Sequence, residues 1–98
     1  MATAYSFNTQ KVLTICQKND ISMVGVFGSE ARGQAKKDSD IDLLVRFSFP
    51  KSLLSIVKLE RELTELLGKK VDLLTEESLS PYLKEDIMSE LKVLYEEQ

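Results

Sequence analysis

A chain of 98 residues that is 43% hydrophobic and 30% charged has the composition of a folded domain, and residues 1–98 are expected to form a single one with a modest core. The net charge of −3 argues against strong nucleic-acid binding, and no apolar run approaches the ~20 residues of a membrane span or resembles a signal peptide, so a cytoplasmic location is expected. With no His, no Trp and one cysteine, Cys16, the chain has no His-based triad, no zinc site and no internal disulfide; chemistry must come from carboxylates, hydroxyls, Lys, Arg and backbone amides.

In chain order, Asn8-Thr9 reads as the cap of a first helix carrying Val12, Leu13, Ile15 and Cys16, ended by Asn19-Asp20. The apolar run Met23 to Phe27 predicts a buried strand, Ile21 to Phe27. Ser29 to Arg32 can form one helical turn, and the polar stretch Gly33 to Ser39 reads as a loop. A second strand is expected from about Asp40 to Phe47, broken by Phe49-Pro50. From Ser52, Leu53, Ile56, Val57, Leu59, Leu63, Leu66 and Leu67 fall at helical spacing, with Gly68 as the C-cap. Val71 to Leu74 predicts a third strand, and Pro81 opens a last helix bearing Leu83, Ile87, Met88 and Leu91. Val93-Leu94-Tyr95 fits either an extension of that helix or a final strand, so residues 92–97 stay open. The fold class is therefore α+β: a small mixed sheet of three to four strands flanked by helices.

One segment carries the chemistry. Between Gly28 and Asp42 a Gly-Ser pair is followed by ten residues and then Asp40-x-Asp42, with apolar strands on both sides. This spacing couples a turn able to grip phosphate to two carboxylates able to hold a divalent metal. Asp72 lies in the otherwise apolar third strand, where a carboxylate is costly unless it is paired, hydrogen-bonded or bound to metal. Bland readings exist beside these: Gly28-Ser29 as a plain turn, the Asp residues as turn formers, Arg32 as a structural partner for an acid such as Asp42, Lys36-Lys37 as a solvated loop, and Cys16 as a small core residue.

The combination of Gly28-Ser29, ten residues, Asp40-x-Asp42, the intervening Ala31-Arg32-Gly33 and the later Asp72 resembles the minimal nucleotidyltransferases of the polymerase-beta superfamily. The resemblance runs from about Ile21 to Tyr95. It implies the nucleotidyltransferase fold and a site in which Gly28, Ser29 and Arg32 meet the phosphates of ATP. Asp40, Asp42 and Asp72 would bind Mg²⁺, two ions being expected, with Asp72 as ligand to the second metal or as general base. Lys36 and Lys37 could contact phosphates or steady the loop.

Such proteins are commonly antitoxins paired with an all-helical HEPN RNase toxin. The resemblance implies transfer of AMP from ATP to a tyrosine hydroxyl of that toxin, which neutralises it. A chain this short is expected to take its acceptor from a partner. Two other readings remain: an antitoxin acting by binding alone, and a nucleotidyltransferase for a small-molecule acceptor. Base preference and oligomeric state are not written in any motif; the apolar faces of the last helix and of Val93-Leu94-Tyr95 are candidates for a partner surface.

Overall fold

The computed structural model describes residues 5–97, so the expected domain is described over that range. Its elements are α1 (Thr9–Lys18), β1 (Ile21–Phe27), α2 (Gly28–Ala31), β2 (Ile41–Phe47), α3 (Leu53–Leu67), β3 (Val71–Thr75), a 3₁₀ turn (Glu76–Ser78), α4 (Pro81–Glu90) and β4 (Lys92–Glu96). Local chemistry sets most boundaries. The Asn8 side chain accepts from the Gln10 and Lys11 amides, and Ser52 Oγ accepts from the Ser55 amide. Gly68 closes α3 at φ 71°, the left-handed conformation a glycine adopts without steric cost. Ser80 caps α4 ahead of Pro81, whose missing N–H costs nothing in a first turn.

The four strands form one mixed sheet in the order β3-β2-β1-β4. β1 runs antiparallel to β2 and to β4, while β2 and β3 are parallel. Residues 92–97, which fitted helix or strand in sequence, are thus decided by pairing: Tyr95 lies opposite Val24 and Lys92 opposite Val26. Leu91, expected on the last helix, is instead extended and ends it.

Side-chain alternation assigns the two faces. Val24, Val26, Ile41, Leu43, Val45, Val71 and Leu73 pack with Val12, Cys16, Leu59 and Leu63 beneath α1 and α3. The opposite face carries Met23, Phe27 and Leu44, which pack with Ile87 of α4. From Met23 to Phe27 strand β1 is buried on both faces, which explains the unbroken apolar run there.

The outer edge of β3 is closed by α3. The Val71 amide donates to Thr64 Oγ1 at 3.0 Å and the Leu73 amide to Glu60 Oε2 at 2.8 Å. Those bonds block further strand addition and hold Asp72, which lies between the two amides, in register beside β2.

Candidate active site

The site grows from the end of β1. After Phe27 the chain turns through Gly28 at φ +70° into the four-residue α2. A Cβ at Gly28 would fall on the Oδ2 atom of Asp42, so this approach of turn to strand requires glycine. The expected helical turn at Ser29 to Arg32 occurs one residue earlier, and Arg32 caps it.

A buried carboxylate anchors that turn. Glu30 is 3% exposed and accepts from the Ser6 amide at 3.0 Å and from the Ser6 hydroxyl. Lys69 Nζ lies 3.7 Å from Glu30 and also donates to Ser6 Oγ and to the Lys36 carbonyl. One ammonium therefore ties α2, the N-terminal segment and the 33–40 loop together, which fixes the approach to Asp40. Neither Glu30 nor Lys69 stood out in the sequence, because their partners lie 24 to 63 residues away.

The parallel register places Asp42 directly opposite Asp72, and the antiparallel register places it opposite Phe27. By alternation both carboxylates lie on the α4 side of the sheet, at the end where β1 passes into the turn. Burial pushes the Asp42 carboxyl up to about 6 from its ordinary 3.8; the charges of Asp72 and Asp40 and a hydrogen bond with Asp72 add to this, and Arg32 opposes it. Asp72 stays 41% exposed, with Lys70 Nζ 3.9 Å away.

Asp40 falls one residue before β2 rather than on it. It is near enough to raise Asp42, but among the described residues no three His, Cys, Asp or Glu side chains converge as a ready-made metal cage. The expected triad is thus a close pair, Asp42 and Asp72, with Asp40 alongside. Two mutually repelling carboxylates, supplying only oxygen donors, fit a hard divalent cation such as Mg²⁺.

Arg32 does not pair with Asp42. Its Nη1 donates to Glu90 Oε2 at 2.9 Å and its Nε to Gln34 Oε1 at 3.2 Å. Glu90 Oε1 in turn accepts from the Gly28 amide at 2.9 Å. These bonds, the Gly28 one above all, hold the Glu90 carboxyl below its ordinary range. Glu90 was not legible as a site residue, since nothing local marks a glutamate 62 residues from the turn it meets.

Ser29 is half-buried on α2, and Lys36 and Lys37 lie on the loop. A cleft of about 280 Å³ lined by Arg46, Phe49, Ile56 and Glu76 sits at the far end of β2 and contains none of the three acids.

Comparison with known proteins identifies the family and the fold. Residues 10–98 match the family model of polymerase beta nucleotidyltransferases. The chain is 47% identical over 81 residues to a Methanocaldococcus jannaschii protein provisionally named a protein adenylyltransferase, covering 83% of this chain and 87% of the relative. It is 46% identical over 68 residues to the protein adenylyltransferase MntA of Thermococcus cleftensis, covering 69% of each. A crystal structure of a toxin–antitoxin with AMP-PNP superposes with a TM-score of 0.84 at 26% identity, covering 93% of this chain and 75% of that one. The chain belongs to the polymerase beta nucleotidyltransferase family, and the four-stranded sheet with its flanking helices is the nucleotidyltransferase fold.

Proposed function

We propose that this protein is a Mg²⁺-dependent protein adenylyltransferase that moves AMP from ATP to a hydroxyl of a partner, the partner being a HEPN RNase toxin and the acceptor a tyrosine. The observation that carries the reading is the Asp42–Asp72 pair set in parallel register against the Gly28 turn. The names of the relatives and the nucleotide-analogue complex among its structural neighbours support it.

In that reading Ser29 and the free N–H groups of Arg32 bind the triphosphate, and glycine at position 28 lets the backbone approach it. Asp40, Asp42 and Asp72 would hold Mg²⁺, two ions if the family pattern applies, and the metal would supply charge neutralisation for the triphosphate and the departing pyrophosphate. The acceptor hydroxyl oxygen attacks the α-phosphorus, the bond to the bridging oxygen of pyrophosphate breaks, and the hydroxyl proton passes to a carboxylate. Asp72 suits that last role because its side chain is 41% exposed and so open to an incoming hydroxyl.

The test uses the purified protein, ATP, Mg²⁺ and a HEPN RNase, taken from the neighbouring gene where that gene encodes one. AMP transfer should add ~329 Da to a tyrosine-containing peptide of the partner. No added mass with ATP or any other nucleotide refutes the reading, as does full transfer by Asp42→Asn. Suppression of the RNase by a transfer-dead variant would instead show neutralisation by binding alone.

A further inference from the structure

The side chain that hydrogen-bonds to the turn from the far end of the sequence is an acid, where a phosphate-binding segment would be expected to avoid one. Glu90 is the last residue of α4, and its two oxygens divide between two donors of the turn: Oε1 takes the Gly28 amide and Oε2 takes Arg32, each at 2.9 Å. Phe27, the residue before the turn, has no side chain able to cap it. Glu90 therefore does from α4 what a local Ser or Asp does elsewhere.

The second bond has a different consequence. Arg32 is 49% exposed, and a long, half-exposed side chain ordinarily samples many rotamers. Held by Glu90 on one side and Gln34 on the other, it is fixed with two of its five N–H donors used and three left. A triphosphate arriving at the turn meets a guanidinium already aimed, and loses less freedom in binding it.

We propose that Glu90 is a positioning residue for the triphosphate: from α4 it fixes the Arg32 guanidinium and, by capping the Gly28 amide, the turn itself in the geometry that receives phosphate oxygens. This rests on the reading of Gly28 to Arg32 as the triphosphate-binding segment. It makes the affinity of the turn depend on where α4 ends, so the helix on the acid-bearing face is part of the nucleotide site without touching the nucleotide.

The experiment is a binding cycle on the full chain, with inorganic tripolyphosphate and then ATP as probes, both with Mg²⁺, by calorimetry. Glu90→Gln keeps the shape and one acceptor; Glu90→Asp keeps the charge but is too short to span both donors. Each should weaken tripolyphosphate binding about fivefold, the net worth of one ordinary hydrogen bond. Arg32→Ala should weaken it at least as much, and the double variant Arg32→Ala/Glu90→Gln should lose less than the product of the two single losses, since the Arg32 contact is shared and only the Gly28 contact is not. In the transfer reaction KM for ATP should rise more than kcat falls.

Unchanged or tighter binding by Glu90→Gln overturns the proposal, since it would make Glu90 a competitor of the phosphates. Losses that multiply in full in the double variant also overturn it, because Glu90 would then act independently of Arg32. So does a wild type that does not bind tripolyphosphate. The binding assay contains no partner protein, so absent AMP transfer with an intact cycle counts only against the proposed function.

Discussion

Replacing Asp42 by Asn should make the protein more stable while removing its activity. In the metal-free fold the Asp42 carboxyl titrates near 6 against 3.8 for an ordinary aspartate, chiefly from burial and then from the adjoining Asp72 and Asp40. A shift of that size corresponds to about 3 kcal/mol if taken whole. The carboxylate is only half-buried, and solvent screening reduces the figure to about 1 kcal/mol. The sign follows from proton linkage: with the folded-state value raised, the native chain holds its proton more tightly than the unfolded chain. The associated stability is fully present below pH 3.8 and is lost as pH rises through 6.

Asn carries no charge at any pH, so it escapes that loss. In thermal unfolding without divalent ions, Asp42→Asn should melt roughly 4–8 °C above wild type at about pH 7.5, with the gain vanishing near pH 3.8. Mg²⁺ at about ten times its dissociation constant should stabilise wild type by ~1.4 kcal/mol and close the gap. A gain equal at both pH values, or no gain at neutral pH, would refute the electrostatic account of the pair.

Two glycines at the same φ of +70° separate strain from crowding. Gly33→Ala adds a Cβ with nothing within 4 Å and should cost only the left-handed strain of about 1–2 kcal/mol, whereas Gly28→Ala also drives a methyl into Asp42 and should cost at least a further ~1 kcal/mol. Equal melting temperatures for the two variants would contradict the close packing of turn on strand. Burial pushes the Cys16 thiol up to about 12, so an aromatic disulfide reagent at about pH 8 should label it only as fast as the fold opens. Full labelling of the native protein within seconds would show that position 16 is not sealed in the core.

The strands, the long helix and the phosphate turn were legible because each is written locally. Met23 to Phe27 is apolar without interruption since both of its faces are covered, and α3 repeats its leucines at helical spacing up to a glycine cap. The Gly28–Asp42 segment is local too: a turn and the strand that follows it within fifteen residues.

What the tertiary structure decided is which distant pieces meet. Sequence placed Asp72 on a strand, but only the parallel β2–β3 register sets it opposite Asp42. It could not choose helix or strand for residues 92–97, because five residues carry too little periodicity and the free edge of β1 makes the choice. Arg32 looked like a partner for Asp42, yet Glu90 takes it, from the end of a helix that packs on the acid-bearing face. Spacing along a chain records neighbours within a turn or a strand; hydrogen bonds and charge pairs across 58 or 62 residues leave no such record, since their energy depends on a fold that must form first.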